Sequence, residues 1–143
     1  MLISTKGRYA LRVLIDMAEH RSEGYIPLKE VAQRQEISEK YLESIVKSLV
    51  SNGVVTGLRG KGGGYRLGKS PDQILVKDVL EMTEGPMVPV ACLEDSAGKC
   101  PRMTSCRTLP LWKSLNESIE RCLSSYSVAD LMRSDEPGND YVI

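Results

Sequence analysis

Apolar side chains recur at three- and four-residue steps over residues 5–19, TKGRYALRVLIDMAE. Tyr9, Ala10, Val13, Leu14, Met17 and Ala18 make one stripe, and Leu11 and Ile15 widen it. The spacing predicts an amphipathic helix capped by Ser4 or Thr5. So wide a stripe needs cover on more than one side, from its own domain and from a partner subunit. Gly24 breaks the pattern, and Pro27 suits the first turn of a second helix, LKEVAQRQ, with Leu28, Val31 and Ala32 on one face. In ISEKYLESIVKSLVSNG, Ser38 is a good N-cap, and Leu42, Ile45, Val46, Leu49 and Val50 form the buried stripe. Asn52-Gly53 ends this third helix, because both residues tolerate left-handed backbone. Only a few residues around Glu36-Ile37 join the second and third helices. Such a helix–turn–helix cannot bury its apolar faces alone, and the first helix is its natural third member.

VVTGLR, a glycine tip and YRLGKS follow. Val54, Val55 and Leu58 are expected to face Tyr65 and Leu67 across a hairpin. Three helices and then a hairpin give a mainly α fold with a small β-hairpin wing, a winged helix–turn–helix over residues 1–70. Residues 71–84 read as a connecting strand and helix, with ILVKDVLEMTE as a short strand running into the helix. Residues 85–109 lose periodicity and hold three of the four cysteines. PLWKSLNESIERCLSSY is amphipathic again, with Pro110 in its first turn and Leu111, Leu115, Ile119, Cys122 and Tyr126 as its stripe. Little chain remains to cover that stripe, which predicts a long C-terminal dimerisation helix. With the short capped helix SVADLMR it fills residues 110–133. Residues 134–143, including DEPGND, read as a flexible tail. Trp112 and Met82 are expected in the core, and Cys122 as a packed thiol on the stripe.

A chain of 143 residues suits one domain with a modest core. No apolar run approaches a membrane span, and the opening charges are too close for a secretory signal, so the expected location is cytoplasmic. The formal net charge of zero hides an asymmetry. Residues 1–70 hold twelve Lys/Arg against seven Asp/Glu, and residues 71–143 hold seven against twelve. A positive half is what a phosphate-bearing partner selects.

LRGKGGGYRL sharpens that reading. A P-loop needs a glycine where Val55 stands and a serine or threonine where Gly62 stands, and GxGxxG fails too. No helix follows to bind phosphates. A wing fits: glycines permit close approach and positive φ, and Arg59, Gly60 and Lys61 can meet phosphates or enter a narrow minor groove. In the third helix, Ser38, Glu39, Lys40, Tyr41 and Glu43 face solvent by periodicity. That end of a helix–turn–helix enters the major groove. Lys40, Tyr41 and Lys47 suit phosphate and register. Glu43 has two readings, an acceptor for a cytosine amino group or a solvated partner of Lys47.

STKGRYALRVLIDMA, IPLKEVAQRQEISEKYLESIVKSL, NGVVTGLRGKGGGYRLGK and a cysteine loop ending CRTLPLW resemble one regulator family. It includes the iron–sulfur cluster assembly repressor, the nitric-oxide sensor NsrR and the cysteine-metabolism repressor CymR. The likeness runs from about Met1 to Met132. It implies a homodimeric bacterial transcription regulator on a pseudo-palindromic double-stranded DNA operator, with the 110–126 helix crossing its mate. It implies Arg59 in the minor groove and sequence preference set by Glu43.

Cys92, Cys100 and Cys106 form C-x7-C-x5-C. Thiolates suit soft metals and iron–sulfur clusters, no CxxC pair is present, and a structural disulfide is out of place in the cytosol. The resemblance favours a 2Fe-2S cluster on these three residues. It leaves the fourth ligand unassigned. The position of the family's histidine carries Leu109, and that of the nitric-oxide sensor's aspartate carries Arg8. Glu94 and Asp95 are local candidates, and a small molecule or a residue across the dimer is another. A thiol or disulfide redox switch, and zinc or no metal role, compete with the cluster. His20 reads as an exposed residue at a helix end.

The function that follows is a DNA-binding regulator with a redox or iron–sulfur sensor. A winged-helix regulator without a cluster, sensing a small molecule or protein partner, is the alternative; a small iron–sulfur electron-transfer protein is another. An enzyme is not expected, since no nucleophile–base pair is visible and His20 has no evident partner.

Overall fold

The computed structural model describes residues 2–133. Helix α1 spans Thr5–Glu19, and Ala10, Val13, Leu14, Met17 and Ala18 on it are buried. Helices α2 (Leu28–Gln35) and α3 (Glu39–Ser51) follow. A hairpin, β1 (Val55–Leu58) and β2 (Gly64–Leu67), completes the winged helix–turn–helix. Within this chain the wide α1 stripe is covered from several sides, by α2, α3, β2, α4 (Val76–Glu84) and α6 (Val128–Leu131).

Ser4 takes the N-cap position of α1, but its side chain makes no cap bond. Glu84, the last residue of α4, does that work. Its Oε1 accepts from the Ser4 amide at 3.1 Å, the Ser4 hydroxyl at 2.5 Å and the Gly7 amide at 3.0 Å. A carboxylate is favoured at a helix N-terminus, where amides point outward. A Cβ on residue 7 would lie 2.5 Å from that oxygen, so glycine lets Glu84 reach in.

Ser38 caps α3 as expected, accepting from the Tyr41 amide at 3.2 Å. Leu42, Ile45, Val46 and Leu49 are buried, but Val50 is exposed. One residue past Leu49 is about 100° round the helix, which turns Val50 off the core face. The hairpin pairs Val55 with Leu67, Thr56 with Arg66, Gly57 with Tyr65 and Leu58 with Gly64. Strand alternation therefore sends Leu58 to the face opposite Val55, and it is exposed rather than packed on Tyr65.

The strand expected before α4 is a 3-10 turn, Pro71–Gln73, and an isolated bridge between Leu75 and Ser127. The partner segment is too short to form a ladder, but it draws α6 back onto the body. The Val76 amide donates to Tyr126 O at 3.0 Å and the Val128 amide to Ile74 O at 2.8 Å. Ser127 and Asp130 form the capping box of α6. Ile74, Val79 and Val128 join the core built on α1. A second cluster of Val76, Leu80 and Met87 meets Ile3, Leu11 and Leu123.

Helix α5 spans Leu109–Ser124 and buries none of its residues in this chain. Lys77 tethers it to α4, 2.7 Å from Glu120 and 3.9 Å from Glu81. Cys122 is exposed, not packed, because nothing among the described residues covers it. Trp112 and Met82 are half-buried. The expected tail lies outside the described residues. Among the described residues no helix is long and apolar enough to cross a membrane.

Candidate nucleic-acid interface and cysteine loop

Ser38, Glu39, Lys40, Tyr41, Glu43 and Lys47 all lie on the exposed side of α3, opposite its buried stripe. The Glu43–Lys47 ion pair does not form, and among the described residues neither side chain has a partner. Tyr41 is only partly exposed, at 36%. Its ring meets the Tyr9 ring of α1 edge-on, centroids 6.0 Å apart at 76°.

The wing brings Arg59, Gly60 and Lys61 to an exposed tip. Arg66 differs from the tip cations: its guanidinium lies over the Tyr25 ring, 4.4 Å from the centroid. The glycines divide by cause. Gly60 and Gly62 hold positive φ of 98° and 77° in open space. A side chain on Gly63 would strike the Leu58 carbonyl oxygen, and one on Gly64 would strike the Ile26 backbone. Ile26 is pinned there because its amide and carbonyl exchange 2.8 Å bonds with Tyr65.

Behind this surface lies a polar group that periodicity alone does not explain. Asp16 is buried on α1, only 3% exposed. Its carboxylate accepts two bonds from Arg34, at 3.0 and 2.7 Å, and one from Gln35 at 2.9 Å. Burial raises the Asp16 pKa, but the Arg34 and Gln35 hydrogen bonds and the Arg34 and His20 charges outweigh it and hold the carboxyl below its ordinary value. His20, half-buried, also approaches, its Nδ1 2.8 Å from Asp16 O. The signal in the sequence was an acidic residue between Val13-Leu14 and Met17-Ala18, inside the apolar stripe.

The cysteine loop leaves α4 at Gly85 and reaches α5. Cys92 sits half-buried in a 3-10 turn, Ala91–Leu93, Cys100 is exposed, and Cys106 is half-buried ahead of α5. All are free thiols. Cys106 Sγ lies 3.5 Å from Thr108 Oγ1. That contact, the backbone amides of Thr108 and Leu109 and the Arg102 charge together hold its pKa below the ordinary thiol value. Glu94 and Asp95 face Lys77, Glu81 and Glu120 across a cleft of about 540 Å³. Among the described residues no three His, Cys, Asp or Glu side chains come together as a metal site. The loop as folded therefore does not fit a cluster held by Cys92, Cys100 and Cys106. Leu109 opens α5, and Arg8 is exposed with its Nη2 3.5 Å from Thr5 Oγ1.

Residues 3–134 match the family model for Rrf2, described as an iron-dependent transcriptional regulator. The chain belongs to the Rrf2 family. It is 40% identical to protein rrf2 of Nitratidesulfovibrio vulgaris over 133 residues, 93% of this chain and 88% of that one. It is likewise 40% identical over 131 residues to the HTH-type transcriptional regulator CymR of Bacillus subtilis, covering 92% and 89% of the two chains. The solved structure of that protein, called the global cysteine regulator of B. subtilis, superposes with a TM-score of 0.74 at 39% identity, over 92% of this chain and 95% of that one. The IscR of T. potens gives the same TM-score, 0.74, at 32% identity over 99% and 93%. The Rrf2 relatives are transcription regulators and not enzymes, so the winged helix–turn–helix of this chain is that of a DNA-binding regulator.

Proposed function

We propose that this Rrf2 protein is a homodimer that reads a pseudo-palindromic operator with α3 and the wing, and that the state of its cysteine loop modulates that reading. The observation that carries the first part is the outer face of α3. Glu39, Lys40, Glu43 and Lys47 stand exposed and unpaired among the described residues, while the opposite face is locked in the core. The N-terminal half of α3 enters the major groove. Lys40, Tyr41 and Lys47 meet phosphates and set register. Glu43 repels phosphate and accepts from a cytosine amino group. Arg59 enters the minor groove beside it, and Gly60 and Lys61 approach the backbone.

The dimer reading rests on α5. Leu111 and Leu115 are 58% and 40% exposed, and Ile119 and Cys122 lie on the same stripe; Tyr126, 48% exposed, falls two residues past the helix end rather than on it as expected. A contiguous apolar face of this kind marks an interaction surface, and the α5 of a second copy covers it. In this reading residues 1–70 bind DNA, 71–84 connect, 85–109 sense and 110–133 dimerise, in the cytoplasm.

For the signal, the geometry favours thiol chemistry, because Cys106 has its own activating contact and, among the described residues, the three thiols are not gathered into a metal site. The cluster reading draws support from three thiols in one loop and from the family's iron dependence. It requires the loop to refold around the cofactor, with a 2Fe-2S centre on Cys92, Cys100 and Cys106 and a fourth ligand still to be assigned.

The test is a selection from a randomised duplex pool with anaerobically purified protein, followed by affinity measurements against salt. We expect an enriched pseudo-palindrome and a steep salt dependence; no duplex bound at low salt sinks the reading. Iron and sulfide assays on the same sample separate the signals. About two irons and two sulfides per subunit support the cluster. Their absence, with affinity that changes when the thiols are alkylated, supports the thiol switch.

A further inference from the structure

Tyr9, Arg12 and Asp16 stand three and four residues apart on α1, which places them on one face of the helix. Together they hold both ends of the α2–α3 turn. At its start, Asp16 takes the Arg34 and Gln35 side chains. Arg12 Nε donates to Gln35 Oε1 at 3.2 Å, and Arg12 Nη2 donates to the Gln35 carbonyl. At its far end, the Tyr9 ring meets Tyr41 edge-on. Arg12 joins the two contacts, its guanidinium 5.0 Å from the Tyr9 centroid.

The turn between these anchors is a left-handed helix cap, in which the Glu36 amide donates to Gln33 O at 3.4 Å and the Ile37 amide to Ala32 O at 3.1 Å. Glu36 holds left-handed backbone, φ 55° and ψ 45°, a conformation that non-glycine residues disfavour. The cap bonds hold it locally, and because the strained residue is not a glycine, contacts on either side of the turn reinforce it. A tilt of about 10° at the turn moves Glu43, ~7.5 Å along the α3 axis, by about 1.3 Å. That displacement exceeds the tolerance of a hydrogen bond to a base edge. Flexible lysines follow a phosphate through the same displacement, so a tilt costs sequence reading more than overall affinity.

We infer that Tyr9, Arg12 and Asp16 form a positioning strip that fixes the angle of α3 and thereby determines operator preference, although none of the three is itself a DNA contact. Tyr9 packs against the core that holds Leu42, Ile45 and Leu49, but those side chains are buried on many sides, so the fold survives loss of the strip. The inference rests on the DNA-binding reading above, but part of its test needs no DNA.

Tyr9→Leu, Tyr9→Phe and Asp16→Asn would be compared with wild type on duplexes that wild type selects from a random pool and on scrambled duplexes. Tyr9→Leu and Asp16→Asn are expected to lose about tenfold of the preference for selected over scrambled duplex, the size of one mismatched base pair. Their salt slopes should stay that of wild type. Tyr9→Phe keeps the ring and should retain the preference. Without DNA, amide exchange over residues 36–41 should accelerate in Tyr9→Leu and not in Tyr9→Phe. Folded variants that keep full preference, unchanged exchange in Tyr9→Leu, or a Phe variant as impaired as Leu overturn the strip. A wild type that binds no duplex removes the DNA-binding reading, and the exchange result still decides whether the strip sets the turn.

Discussion

The first seventy residues and the stretch from Gly85 to Ser124 are opposite solutions to one problem. In the first, almost every apolar side chain finds cover within the chain. Leu14, Met17, Ile26, Leu42 and Leu49 are essentially inaccessible, and even the carboxylate of Asp16 is fully engaged. The second buries little. No residue of α5 is buried, and the thiols ahead of it do not converge. A rigid half that presents a surface and a loosely packed half that leaves a helix face uncovered is a division that suits a switch. A loop with few buried contacts can change state at low cost, while a packed core transmits the change without deforming.

The largest test of this contrast pairs Leu14→Ala with Leu115→Ser. Leu14→Ala should cost about 2–5 kcal/mol in denaturant melts, through lost burial and a cavity, at any protein concentration. Leu115→Ser should leave the subunit core intact and shift sedimentation toward monomer, making the melting temperature independent of concentration. Equal behaviour of the two variants erases the distinction. A somewhat smaller loss is expected for Gly64→Ala, roughly 2–3 kcal/mol. Its φ of 151° and the Ile26 backbone both oppose a side chain, and thermal unfolding reads the cost. Gly60→Ala, in open space, pays only the strain of its φ of 98° and should cost less.

Acid titration gives a third, smaller effect. The Asp16 carboxyl lies below its ordinary value in the folded chain. It therefore contributes stability that is fully present above its unfolded pKa, about 3.9, and is lost as pH falls through the lower folded value. Asp16→Asn should be less stable than wild type near neutrality, and the gap should close as acid is added; a gap constant with pH refutes the assignment. The smallest effect carries no stability change. Cys106 should alkylate with a pH midpoint below that of an ordinary thiol, about 8.5, and Thr108→Val should move that midpoint up. Mass spectrometry of peptides labelled at several pH values reads both.

Local rules made much of this molecule legible. The 3.6-residue stripes delimited α1 and α3, because helix burial leaves its period in the sequence. Ser38, Asn52-Gly53 and Ser127 marked element ends, because caps act within a few residues. The run of glycines and cations marked the wing. Errors arose where a contact spans the chain. Val50 and Leu58 have the right chemistry for a core, but helix phase and strand register turn them outward. The strand expected before α4 is a single bridge, since a strand needs a partner of matching length and the 127 segment offers one residue.

The sequence by itself determined the element order, the exposed polar face of α3, the basic glycine tip and an apolar α5 stripe without cover. Each depends on periodicity or on neighbours in the chain, and those are written locally. Tertiary structure alone decided that Glu84 caps α1, that Asp16 clamps α2, that Gly64 makes room for Ile26 and that, among the described residues, the loop cysteines do not gather into a metal site. Those outcomes depend on which distant groups meet, and a hydrogen bond or a collision is set by positions a few tenths of an ångström apart, which no local pattern encodes.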